Sequence, residues 1–248
     1  MTKKEIYAKH GITFDHDHIL YHGKWICELL KEGNTKTGKK VYTFSTPAGT
    51  EGTCICDCKS CYAKTGFYKQ ENVKESLELN ENIVNNDISF FYCAISAQLE
   101  TLKGKVTEIR IHASGDFNTK NPEEYANTWH RIVKENSSFL FWTYTKMQQF
   151  ETLFDDTENG NIVKSVIAGI GINYGHCDYI IETYKKLKAM NANVYICRCG
   201  IDKNQHCQAC GHCATADFVL FIEHSTEYKA EKDPLFDTLP TSTERNNS

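Results

Sequence analysis

Residues 41 to 66 read VYTFSTPAGTEGTCICDCKSCYAKTG. The first six, Val41 to Thr46, are β-branched, aromatic or hydroxylic, and Pro47 and Gly49 punctuate the next few residues, so the stretch reads as a strand running into a turn. Cys54, Cys58 and Cys61 come next, ahead of a stretch with helical periodicity, which puts them on a βα connection. In βα architectures the edge formed by the carboxyl ends of the strands is where functional groups collect.

The same alternation recurs downstream. Val106 to His112, Phe139 to Thr145, Val163 to Ile172, Val194 to Arg198 and Phe218 to Glu223 are the further candidate strands. Between them, Ile88, Phe91, Tyr92, Ile95, Leu99 and Leu102 form one apolar helical stripe, and Ile180, Ile181, Tyr184 and Leu187 form another. A third helix is expected from Asn121 as cap, with Pro122 in the first turn, Glu123 and Glu124 at the positive dipole end, and Tyr125, Trp129, Ile132 and Val133 inward. Strands joined by helices run parallel, so the fold class is α/β built from repeated βα units, either a doubly wound sheet or a full or partial barrel. Residues 1–40 read as an irregular N-terminal cap, 41–224 as a single α/β domain, and 225–248 as a polar tail.

Of 248 residues, 24% are charged and 40% hydrophobic, the mix of a globular chain that can bury a core. No stretch approaches the roughly 18 apolar residues needed to span a bilayer, and the N-terminus has no apolar signal region, so the expected location is cytoplasmic. Disulfides are rare in that reducing compartment, which makes the 12 cysteines better candidates for metal ligands or reactive thiols. A net charge of -4 argues against a dominant phosphate-binding surface, although a local basic groove around Lys39, Lys40, Lys59, Lys64 and Lys69 is compatible with it.

Three thiolates at C-x-x-x-C-x-x-C spacing can wrap one cubane iron-sulfur cluster and leave its fourth iron open. Gly49, Gly52, Ser60 and Ala63 let the backbone turn closely around such a group. A zinc site on Cys56, Cys58, Cys61 and a distant ligand is the alternative, and Cys56 could also replace Cys54 or Cys58. A second set, Cys197, Cys199, Cys207, Cys210 and Cys213, lies in CRCGIDKNQHCQACGHC at 197 to 213. Its last three cysteines have ferredoxin-loop spacing, and with Cys199 or Cys197 as fourth ligand the site is closed, for a second 4Fe-4S cluster or for zinc. His206 and His212 read as spare ligands or as donors to the ligands there, or else as solvent-facing loop residues. Asp15, His16, Asp17 and His18 read as surface or capping residues, and Cys27, Cys93 and Cys177 as buried free thiols.

Set side by side, GNTK at 33 to 36, FSTPAG at 44 to 49, the loop ending in CYA, IRIHASGDF at 109 to 117, FWTYTK at 141 to 146 and the late cysteines followed by FIEH resemble the phage-encoded family gene product 88. The cysteine loop after a first strand is also similar to that of radical S-adenosylmethionine enzymes. That likeness implies a partial (β/α)6 barrel with the late cysteines as a C-terminal insertion. It also implies an open iron chelated by the methionine group of S-adenosylmethionine, and a 5'-deoxyadenosyl radical as reactive species. A small-small-acid motif after the second strand would hold the methionine amine, and Ser114, Gly115 and Asp116 stand there. Two positions depart from the pattern: Ser60 replaces an aromatic before the third cysteine, and the acid is Asp instead of Glu.

The expected activity is therefore that of a radical enzyme needing a reductant or electron donor and acting on an unidentified substrate. A zinc-bound module recognising nucleic acid or protein, and an iron-sulfur redox protein without S-adenosylmethionine, are the alternatives.

Overall fold

Helix α1, Lys3–Lys9, opens on a reciprocal cap: Thr2 Oγ1 accepts from the Glu5 amide at 3.3 Å, and Glu5 returns a carboxylate to the Thr2 amide at 2.8 Å. Strands β1 (Phe14–Asp15), β2 (His18–Tyr21) and β3 (Lys24–Cys27) then form an antiparallel meander. Its two-residue turns, His16-Asp17 and His22-Gly23, have positive φ at both positions, the backbone that tight hairpins require. The N-terminal region is thus more regular than the sequence suggested, and His16 and Asp17 are turn residues. The computed structural model describes residues 1–33, 40–56, 61–163, 174–175, 177–197, 212, 215–222 and 234–239.

Strands β4 (Lys31–Glu32) and β5 (Val41–Thr43) begin a second sheet. After β5 come helices α2 (Glu71–Asn86) and α3 (Ile88–Leu102), strand β6 (Glu108–Arg110), helix α4 (Pro122–Glu135), and strands β7 (Leu140–Tyr144) and β8 (Gly160–Val163). The sheet order is β4-β5-β6-β7-β8, antiparallel at the first pairing and parallel at the rest. Each parallel strand lies beside its neighbour in sequence, so this sheet has no reversal of the kind a doubly wound fold uses as its crevice. A third sheet joins β9 (Tyr174–Gly175), β10 (Val194–Cys197) and β11 (Phe218–Ile222) in the order β10-β11-β9, all parallel, with helix α5 (Cys177–Ala189) between β9 and β10. The result is a mixed α/β chain, and among the described residues no sheet closes into a barrel.

One face of the second sheet buries Phe44, Ile109, Ile111 and Phe141 with Phe91 of α3 and Trp129 of α4. Phe44, Phe91 and Trp129 meet edge to face at ring separations of 5.2 to 5.8 Å, each such pair adding ~0.5 to 1.5 kcal/mol beyond its buried area. Tyr7, Ile12 and Leu30 from the N-terminal region belong to the same core, and the Gln98 side chain exchanges two 2.8 Å hydrogen bonds with the Leu30 backbone. The described N-terminal residues around Tyr7, Ile12 and Leu30 are therefore built into this core. Helix α4 starts at Pro122 as expected, but Asn121 makes no side-chain cap; its amide instead reaches the Glu124 carboxylate at 3.4 Å.

The opposite face of the sheet is polar and aromatic. Trp142 donates to Glu108 at 3.2 Å, and the Arg110 guanidinium lies 5.2 Å from the Trp142 ring and 5.6 Å from the Tyr144 ring. Tyr144 meets Phe221 of β11 at 5.7 Å, and Asn161 donates to the Ala216 carbonyl at 3.0 Å, which ties the third sheet to this face.

Candidate metal centre

Beyond Thr43 the chain keeps pairing with the segment after β6, with a change of step. The Phe44 amide donates to the Arg110 carbonyl at 3.0 Å, and the Thr46 amide to that of Ser114, also at 3.0 Å. Two residues on one side thus span four on the other, which is a bulge after Ile111. Simple alternation would put His112 on the face of Glu108 and Arg110. The bulge instead turns it inward, where its ring is 3.0 Å from Tyr125 Oη and 3.3 Å from Thr143 Oγ1. Burial and the Arg110 charge hold the imidazole down, to about 3.

The bulge also sets Ser114, Gly115 and Asp116 beneath the start of the cysteine loop. Ser114 Oγ donates to the Thr46 carbonyl at 2.9 Å. Gly115 has φ +86°, and a Cβ there would lie 2.0 Å from Thr46 Oγ1 and 2.5 Å from Thr53 Oγ1, so only glycine fits. The hydroxyls of Thr46 and Thr53 are 2.6 Å apart, and Thr53 Oγ1 accepts from the Asp116 amide at 3.0 Å. Asp116 is 3% exposed. Its carboxylate accepts from Thr145 Oγ1 at 2.7 Å, the Phe117 amide at 2.8 Å and the Lys146 amide at 2.9 Å. Burial pushes this carboxyl above its ordinary value while those donors pull it back.

The loop itself folds over Pro47 and Gly49. Thr53 and Cys54 donate from their amides to the Pro47 and Gly49 carbonyls at 3.0 and 3.1 Å, and Asn118 Nδ2 donates to the Cys54 carbonyl at 3.3 Å. Gly52 is required here too, since its Cβ would sit 2.4 Å from the Pro47 carbonyl oxygen. Cys54 and Cys61 are partly exposed free thiols. Burial drives the Cys54 thiol up to about 12; the charges of Asp116 and Cys61 push the same way and Lys146 opposes them. Hydrogen bonds from the Asp116 amide to Thr53 and from Asn118 to Cys54 place the start of the loop beside the Asp116 turn. Lys146 Nζ also lies 3.5 Å from Cys56 Sγ.

The family model of Gene product 88 matches residues 28–168, more than half of the chain. The chain belongs to the Gene product 88 family. No curated protein and no solved structure matches it. The matched span of Gene product 88 takes in the cysteine loop, the Ser114-Gly115-Asp116 turn and Lys146, and ends before the late cysteines.

Of the expected ligands, Cys54 and Cys61 are brought to the carboxyl edge of the parallel sheet, while Cys58, Cys199, Cys207, Cys210 and Cys213 lie outside the described residues, as does His206. Among the described residues no three His, Cys, Asp or Glu side chains are grouped to hold a metal ion. The donor chemistry at the first loop is that of a thiolate-bound metal, since Cys54, Cys56 and Cys61 are partly exposed cysteines outside any disulfide and a lysine ammonium lies 3.5 Å from Cys56 Sγ. At the second set, Cys197 is buried at the end of β10, and the His212 ring stacks on Tyr195 at 4.1 Å. Cys177 is buried as expected, whereas Cys93 is half-buried and Cys27 is exposed at the end of β3. No helix among the described residues is long and apolar enough to cross a membrane. Thr46, Thr53, Asn118, Thr145 and Lys146 were not among the expected site residues. Thr145 and Lys146 end FWTYTK, and Thr46 lies in FSTPAG, so family motifs held the signal without its purpose.

Proposed function

We propose that this chain is an iron-sulfur protein with a first 4Fe-4S cluster on Cys54, Cys58 and Cys61 and a closed auxiliary metal site, cluster or zinc, at 197–213. We further infer a radical-SAM-like enzyme whose barrel is partial. The observation that carries the reading is the hydrogen-bonded meeting of the Thr53-Cys54 end of the cysteine loop with the Asp116 turn, at the carboxyl edge of sequentially ordered parallel strands. Bound there, an open cluster would supply a low-potential electron to a sulfonium cofactor. Ser114, Gly115 and Asp116 would line that cofactor's side of the loop.

A second reading, an iron-sulfur redox protein that does not use S-adenosylmethionine, draws on Asp116 itself. A carboxylate offers about four acceptor sites, and three are taken by protein donors. This leaves little capacity for an incoming ammonium.

Anaerobic reconstitution with iron and sulfide tests the first claim. The protein should turn brown and hold acid-labile sulfide, and Cys54→Ala or Cys61→Ala should remove the first site's iron. Replacing Cys207, Cys210 and Cys213 together should spare it. A colourless wild-type protein with stoichiometric zinc overturns the reading. Titrating S-adenosylmethionine into the reduced protein should change the cluster's EPR signal in the enzyme reading and leave it untouched in the redox reading.

A further inference from the structure

Cys56 is the cysteine of the loop left over when Cys54, Cys58 and Cys61 hold the metal, and Lys146 was not among the expected site residues. The two meet: Nζ donates to Sγ at 3.5 Å across 90 residues of sequence. What makes the contact more than a surface lysine draped over a loop is how firmly both ends are referenced to one group. On the lysine side, the Lys146 amide and the preceding Thr145 hydroxyl both donate to the Asp116 carboxylate, and the Met147 amide donates to Thr145 Oγ1 at 3.1 Å. On the loop side, the Asp116 amide donates to Thr53 Oγ1, and Asn118, two residues further on, holds the Cys54 carbonyl. Asp116 thus fixes the root of the lysine and the root of the cysteine loop together.

The lysine charge reaches Cys54 as well as Cys56. Thiolates gathered around a metal accumulate negative charge, and a one-electron reduction adds one more, so a cation held at fixed distance stabilises the reduced state over the oxidised one. We propose that Lys146 is a positioning residue for the first cysteine site, anchored by Asp116, which hydrogen-bonds a non-ligating Cys56 and raises the reduction potential of the metal centre beside it. This rests on the iron-sulfur reading above. It assigns Cys56 to the lysine and leaves Cys54, Cys58 and Cys61 to the metal.

The test compares wild-type protein with Lys146→Met, Lys146→Gln, Lys146→Arg and Cys56→Ala after anaerobic reconstitution. Iron and sulfide are counted first. Each protein is then titrated with dithionite, a one-electron reductant, against redox mediators while EPR follows the reduced cluster. Neutral variants should keep the wild-type iron content yet show about a tenfold lower ratio of reduced to oxidised cluster at a given solution potential, which is about 59 mV for a one-electron couple. Lys146→Arg should recover most of that shift, and Cys56→Ala should keep its iron and shift in the same direction by less. An unchanged potential in both neutral variants overturns the proposal, as does loss of first-site iron in Cys56→Ala, which would make Cys56 a ligand. Wild-type protein that takes up no iron overturns the iron-sulfur reading and this proposal together, an outcome distinct from iron-loaded variants with unshifted potentials.

Discussion

Asp116 and Asp156 each tie one connection of the chain to another element, and they do so in opposite environments. Asp116 is buried under the cysteine loop and is held by two amides and a hydroxyl, none of them charged. Asp156 is exposed and pairs with His130 at 2.6 Å and Lys134 at 3.0 Å, and these hydrogen bonds, His130's foremost, hold its carboxyl down to about 2. Burial raises the first carboxyl and the His130 hydrogen bond lowers the second. The difference teaches where local geometry is enforced: neutral donors in a dry site must all be placed at once, whereas exposed ion pairs can be exchanged for water.

The severest way to break the buried region is Gly115→Ala. The added methyl meets two threonine hydroxyls that are themselves hydrogen-bonded, at a positive φ that alanine disfavours. Strain of ~1 to 3 kcal/mol and overpacking of a similar size add, for a loss of about 3 kcal/mol or more in urea unfolding of the metal-free protein. Gly104→Ala is the control, since φ is +75° there but nothing lies within 4 Å of its Cβ. It should cost only the backbone strain. Equal losses in the two variants would show that the loop yields to the methyl and that the Thr46-Gly115-Thr53 contact is not rigid.

How much of the fold and the site is legible in the sequence depends on the kind of residue. The strands at Val41, Glu108, Leu140, Val194 and Phe218 are announced by apolar and β-branched runs, because burial against helices leaves a continuous hydrophobic signature. The cysteine loop is legible because thiol spacing is a chemical constraint on one short segment. The network that holds the loop is not, since it joins Thr46, Thr53, Asp116, Thr145 and Lys146, single polar residues drawn from three separate connections. His112 shows the limit most sharply: period-two alternation assigns it to the Arg110 face, and only the bulge after Ile111 moves it to Tyr125 and Thr143. Nothing in IRIHASGDF distinguishes a bulged path from a straight one.

His112 gives the next largest effect, one that appears only in acid. In the unfolded chain its imidazole takes up a proton near its ordinary value of 6.5, while in the folded protein it resists until about 3. Between those values the unfolded state binds the extra proton, so stability falls as pH drops, by up to about 1.4 kcal/mol per pH unit. Asp116 acts with the opposite sign. Its raised folded value stabilises the fold below 3.8 and loses that contribution as pH rises, so the two are separated by variant rather than by pH alone. Urea unfolding of His112→Gln between pH 6.5 and 4 should show a shallower acid slope than wild type. Identical slopes would mean that the wild-type imidazole is accessible to protons, and the contrast between dry edge and wet surface would weaken.

The smallest effect belongs to Asp156→Asn. Its carboxylate satisfies two side chains of α4, yet His130 remains one-quarter exposed and Lys134 half exposed, so water replaces what the substitution removes. The sign with pH still follows from the lowered value: the contribution is present above 3.8 and fades as pH falls toward 2. Near neutral pH and at 0.15 M salt the melting temperature of Asp156→Asn should match wild type within error. Lowering the salt should open a slight deficit, because screening of exposed charges weakens as the Debye length grows. A large loss at both salt concentrations would mean that the link from α4 to the segment before β8 positions that strand. The exposed carboxylate would then belong with Asp116 as an organiser of the sheet.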